Sequence, residues 1–139
     1  MAKLEIALDG TLKNEGFYGN DPSDTGGETL WGIARKPNPK WVGWPIVDSL
    51  KNEDHFPQCL KKNSELFEAR DLFYREAFWN VIKGDDIINQ EVANDLFDKA
   101  VNMGVHQAVV LCQRSLDVPE TGKMDSSTIN VLNTNNPYA

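Results

Sequence analysis

Leu4, Leu8 and Leu12 recur every fourth residue with Ala7 beside them, which marks one apolar stripe of an amphipathic helix. Gly10 inside the stripe costs roughly 1 kcal/mol relative to Ala. The helix is expected to stop at Gly16, since glycine readily takes the left-handed conformation that closes helices. The pattern then dissolves. Residues 17–44 hold Gly19, Gly26, Gly27, Gly32, Gly43, Pro22, Pro37 and Pro39, and so predict loop with short strands at most. Pro45, a residue favoured in a first helical turn, predicts a short helix over 46–51. From 64 to 82, Leu66, Phe67, Phe73, Ala77, Phe78 and Ile82 share one face and predict a long amphipathic helix ending at Gly84. Between 90 and 116 a further stripe runs through Val92, Leu96, Phe97, Ala100, Met103, Val110 and Leu111, divided by Gly104 as a kink or a close helix contact. Asp125 predicts the N-cap of a last short helix reaching Leu132. The fold class that follows is mainly α, a helical domain with one long Gly-rich loop or small hairpin after its first helix. Ordered loops of that length usually carry function.

Composition narrows the class. At 139 residues, 40% hydrophobic and 25% charged, the chain is a globular protein with a core of its own. No window nears the ~18 apolar residues of a membrane span, so no stable membrane association is expected. The formal net charge of −7 argues against nucleic acid, whose phosphates need a basic surface. Cys59 and Cys112 read as reduced, partly buried thiols. The start, MAKLEIALDGTLKNEG, carries acids and lacks the apolar run of a secretory leader. Synthesis in the cytoplasm without a signal peptide is the expectation.

Candidate chemistry gathers at the start of the Gly-rich stretch. Glu15 is placed in the last turn of the first helix, where unpaired carbonyls and the negative dipole end disfavour a carboxylate. A carboxyl that keeps its proton is what a general acid requires. The plainer reading is a solvated surface glutamate. Nine residues on lies Asp24 and fourteen on lies Thr29. Acid-catalysed glycoside hydrolysis needs a second carboxylate across the scissile bond, and a threonine hydroxyl can place the attacking water. Asp24 also suits an Asx-turn, and Thr29 an ordinary loop position. A calcium loop starting at Asp21 fails, because its twelfth position, which needs a bidentate glutamate, is Gly32. His55 and His106 have no motif around them, and Cys59 has no flanking signature of a nucleophile or zinc site. No metal or cofactor is implied.

The run N-E-G-F-Y-G-N-D-P-S-D-T-G-G-E-T-L-W-G-I, residues 14–33, resembles the N-terminal signature of the glycoside hydrolase family 108 lysozymes, members of which are also described as secretion activators. That signature reads roughly E-G-G, then N-D-P-x-D-x-G-G-x-T-x-x-G-I, and the chain departs from it at Phe17, where the family usually has glycine. F-Y-R-E-A-F-W at 73–79 with K-G-D at 83–85 resembles the family's middle helix, and D-K-A-V-N-M-G at 98–104 its core helix. The last is also similar to phage-type lysozymes, in which a Glu ending the first helix, an Asp and a Thr form the catalytic set. The resemblance covers about residues 10–116. It implies Glu15 as catalytic acid, with Asp24 and Thr29 as its partners.

What the resemblance implies is an N-acetylmuramidase acting on peptidoglycan glycan strands. It cleaves the β-1,4 bond between N-acetylmuramic acid and N-acetylglucosamine. Action at the periplasm or cell wall then requires holin-like or other non-classical delivery. The alternative is a non-catalytic peptidoglycan-binding or secretion-accessory protein with the same fold. The acidic charge gives no electrostatic steering toward anionic walls. Tyr18 and Trp31 flank the expected cleft as sugar-stacking candidates, with Trp41 and Trp44 just beyond, though such rings also serve as core. Asn102, on or near an apolar stripe, is a candidate for bonding the substrate or the catalytic loop. Residues 1–111 are expected to form the catalytic domain. Residues 112–139, with Q-R-S-L-D-V and D-S-S-T-I-N-V-L, resemble part of a peptidoglycan-binding module packed on it. They lack the glycine usual after its Asp, so a helix that simply caps the core is the plainer reading. The resemblance further implies an inverting mechanism; should that fail, Asp21 and Glu28 are the reserve partners for Glu15.

Overall fold

The computed structural model of the chain describes residues 1–23 and 25–134. Its element order is α1 (Leu4–Leu12), β1 (Tyr18–Asn20), β2 (Glu28–Leu30), β3 (Ile33–Ala34), α2 (Gly43–Leu50), α3 (Ser64–Tyr74), α4 (Gln90–Met103), α5 (Val105–Leu116) and α6 (Ser126–Thr134). The mainly α class and the hairpin after the first helix are as expected. The described residues form two compact units, one within Leu12–Phe73, the other of Met1–Thr11 and the described residues from Tyr74 on.

In the first of these units the three short strands form an antiparallel sheet in the order β1-β2-β3. Tyr18 pairs with Leu30, Gly19 with Thr29 and Asn20 with Glu28, while Leu30 pairs with Ile33 across a two-residue turn. Both turn residues, Trp31 (φ 47) and Gly32 (φ 82), are left-handed, as the hairpin turns that match strand twist require. Helix α2 begins at Gly43, two residues before Pro45, which sits harmlessly in the first turn. A Cβ at position 43 would lie 2.4 Å from the Trp41 ring, so only glycine fits there. Trp41 and Trp44 are core residues, 8% and 1% exposed, with indole N–H groups donating to the carbonyls of Ala69 and Asn38.

The helices depart from the expected pattern in three places. The helix expected over 64–82 is α3 alone; Arg75–Trp79 follows as a π-helical turn, with the Asn80 N–H donating to the Arg75 carbonyl. The wider turn slips the apolar face by a residue. Ala77 is exposed, while Trp79 is fully buried against Phe97. Gly84 is needed there because a Cβ would fall 2.2 Å from the Trp79 ring. The stripe over 90–116 breaks at Gly104 (φ 94) into α4 and α5. No atom lies within 4 Å of a Cβ built there, so backbone conformation and not close packing selects the glycine. The break resets the helical phase, so that Ala108, Val109 and Gln113 are buried while Val110 and Leu111 are half-buried. Asn89 caps α4, and Asp125 caps α6 by accepting the Thr128 N–H at 2.8 Å. The boundary expected at 111/112 falls inside α5, and α6 packs on that helix with Thr128 and Leu132 buried.

Candidate active site

Helix α1 ends earlier than the sequence pattern indicates. Its last residue is Leu12, and Glu15 follows in a turn, its N–H donating to the Leu12 carbonyl at 3.2 Å. Gly16 is not among the left-handed glycines, so it does not act as the helix cap. Glu15 therefore stands just beyond the helix, half-buried, on the segment that leads into β1.

Thr29 is the middle residue of β2. Side chains alternate across a strand, so Thr29 shares a face with Gly19 and Ala34, while Tyr18, Glu28 and Leu30 share the other. A Cβ at position 19 would approach the Thr29 hydroxyl to 3.3 Å; glycine keeps that side of the hydroxyl open. Glu15 and Thr29 thus lie in one unit of the chain, on connected pieces of it. Asp24 lies outside the described residues. Asp21 forms the Asx-turn, accepting both the backbone N–H and the hydroxyl of Ser23.

The other face of the hairpin carries a buried carboxylate. Glu28, 6% exposed, accepts the Tyr18 hydroxyl at 2.5 Å, Arg35 at 2.8 Å and Lys51 at 3.0 Å. Arg35 also grips Asp48 with both terminal nitrogens, and Lys51 reaches the same carboxylate. Burial alone would raise the Glu28 pKa; the bonds from Tyr18, Arg35 and Lys51 outweigh it and hold the carboxyl below its ordinary value. Burial and the bond to Glu28 raise the Tyr18 hydroxyl. An open groove of about 620 Å³ on this side is lined by Asn20, Pro22, Gly27, Glu28, Arg35 and Lys36. With its lone pairs taken by three donors, Glu28 is poorly placed to activate water. The sequence singled it out only as a reserve partner, and passed over Arg35, Asp48 and Lys51. Their one signal is that Glu28 and Arg35 stand equally far from the turn, two positions beyond Leu30 and Ile33, and it appears only once the hairpin register is known.

The remaining candidates fall as follows. The Tyr18 ring stands edge-on to Phe56, 5.1 Å between centroids, with its hydroxyl committed to Glu28. Trp31 is 8% exposed among Phe17, Phe67 and Arg70. Asn102 is exposed on α4, in the other unit, and donates to Asp98 at 3.2 Å. It does not belong to the apolar stripe, which runs through Val92, Ala93, Leu96, Phe97 and Ala100. Among the described residues no group of three or more His, Cys, Asp or Glu is arranged to hold a metal ion, and no helix is long and apolar enough to cross a membrane.

The chain is similar in structure to SagA of Brucella abortus, with a TM-score of 0.61 and 23% sequence identity over 96% of this chain and 70% of that one. At that identity the likeness speaks for the fold. No curated protein matches the sequence. The model of the Glycosyl hydrolase 108 family matches residues 8–104, a span that contains Glu15, the whole hairpin and α4, and on that match the chain belongs to the Glycosyl hydrolase 108 family.

Proposed function

We propose that the protein is a peptidoglycan hydrolase of the lysozyme type, an N-acetylmuramidase in which Glu15 is the general acid. One observation carries the reading. Glu15, at the exit of α1, and Thr29, on the open face of β2, sit at the two ends of one Gly-rich segment, in a family of glycosyl hydrolases.

Glu15 gives its proton to the glycosidic oxygen as the bond from the muramic acid anomeric carbon breaks. Water adds to that carbon from the opposite face and loses its proton to Asp24, with the Thr29 hydroxyl orienting it. An inverting reaction of this kind needs carboxyl groups roughly 6.5–9.5 Å apart. The product first carries the α-anomer at its new muramic acid end. Delivery to the wall from the cytoplasm belongs to the same proposal.

A zymogram with peptidoglycan embedded in the gel tests it. Wild-type protein is expected to clear the gel, and Glu15→Gln to lose activity by about a hundredfold or more with little change in melting temperature. Thr29→Ala is expected to lose activity and Thr29→Ser to retain much of it. Clearing by Glu15→Gln at the wild-type rate refutes the assignment of the acid. Glycan binding without clearing by the wild type would establish the non-catalytic alternative instead.

A further inference from the structure

We propose that Trp31 is a positioning residue, which ties the segment bearing Glu15 to the strand bearing Thr29 and does not itself stack on a sugar. This rests on the assignment of Glu15 and Thr29 above. Trp31 lies two residues after Thr29, and Phe17 two residues after Glu15. These two neighbours are joined twice. The Trp31 N–H donates to the Phe17 carbonyl at 2.7 Å, and their rings pack at 5.6 Å between centroids. A shift of either segment therefore displaces the other.

The backbone at Trp31 shows that the ring matters there. Its φ of 47 lies in the left-handed region, which is strained for a bulky L-residue. Asn or Gly would make the same two-residue turn more cheaply. The tryptophan is kept in this conformation by its surroundings. Phe67 packs at 4.9 Å between centroids, the Arg70 guanidinium lies 5.0 Å from the ring centroid, and the residue is 8% exposed. A sugar needs an open ring face, and Phe17, Phe67 and Arg70 crowd this one. The Lys61 ammonium sits 4.5 Å from the Phe17 ring centroid, so the other ring of the pair is contacted as well.

Trp31→Asn separates the ring from the turn. Asparagine tolerates the left-handed conformation and keeps the backbone N–H, so the hairpin survives while the clamp is lost. Steady-state kinetics on soluble, uncross-linked glycan fragments are expected to show kcat reduced about tenfold with KM within twofold, while Trp31→Phe keeps most of kcat. Phe17→Leu loosens the clamp from its other side. It should lower kcat about threefold at unchanged KM, and it serves if Trp31→Asn does not fold. A raised KM with kcat preserved would make Trp31 a sugar-contact residue and overturn the proposal. So would a lowered melting temperature with both constants unchanged, the signature of plain core packing. Should the wild type cleave no glycan, the muramidase reading fails by itself. NMR of the Thr29 methyl and Glu15 amide then decides the clamp: both signals should move in Trp31→Asn and stay in Trp31→Phe, and unmoved signals in Trp31→Asn overturn it.

Discussion

The two units of the chain are stabilised in different ways. From Leu12 to Phe73 the strands have three, three and two residues, too little paired backbone and apolar face to hold a sheet alone. Directional contacts hold it: three donors on the Glu28 carboxylate, a left-handed tryptophan in the turn, rings crossed with cations. In the other unit α4 buries Val92, Ala93, Leu96, Phe97 and Ala100, and α5 buries Ala108 and Val109. Burial there is periodic and mostly interchangeable in kind. The unit that bears the candidate acid is the one built from non-interchangeable parts, as expected where the placement of a few groups matters more than total stability.

The largest effect should come from the helical core. Phe97, fully buried among Tyr74, Phe78 and Trp79, is expected to cost about 4 kcal/mol when changed to Ala, measured by urea unfolding. A loss under half that would mean the helical unit relies less on its apolar stripe than its burial indicates.

The most deeply buried polar side chain of that unit comes next. Gln113 is wholly buried; its amide donates to Thr121, Thr128 and the Lys123 carbonyl and accepts the Gly122 N–H. Gln113→Leu keeps the volume but strands those partners, and should cost about 3 kcal/mol. A neutral result would show that the loop before α6 satisfies itself.

Glu28→Gln leaves Arg35 and Lys51 bonded to Asp48 but removes the buried charge that both of them and the Tyr18 hydroxyl share, and should cost about 2 kcal/mol, read as a drop in the urea midpoint. Hydrogen exchange should quicken at the amides of Trp31 and Arg35, two donors that close the hairpin. Unchanged exchange would show the sheet to be held by its rings alone.

The smallest effect is in pH dependence. Glu28 is held below its ordinary value of 4.5, so its contribution is complete above pH 4.5 and is lost as pH falls through the depressed value. Asp48, lowered chiefly by its bonds from Arg35, behaves in the same way below 3.8. Lys51 is raised above 10.5: burial opposes its charge, but the bonds to Asp48 and Glu28 prevail. Its share is complete below 10.5 and is lost as pH rises through the raised value. Melting temperature against pH should fall at both ends, and Glu28→Gln should flatten the acid limb. An acid limb identical in the two proteins would take Glu28 out of the account.

The difference between the units also explains what could be read in advance. Stripes of period near four announced α1, α4 and α5, and Asp125 announced the cap of α6, because helix geometry is local and repeats itself. The π-helical turn at Arg75–Trp79 was not legible, since one extra residue in a turn leaves no mark in a pattern compatible with a continuous helix. The sequence leaves Trp31 open between sugar stacking and core packing; the structure packs it among Phe17, Phe67 and Arg70. Nothing in T-L-W-G-I says where Phe17 and Phe67 will stand.

By itself the sequence determined the mainly α class, a Gly-rich loop or small hairpin after the first helix, and the family signature around Glu15, for these depend on residue types a few positions apart. Tertiary structure alone decided that Glu15 stands past the end of α1, that Glu28 gathers Tyr18, Arg35 and Lys51, and that Thr29 faces away from them. The last two rest on strand register, and a shift of one residue would turn every strand side chain to the opposite face.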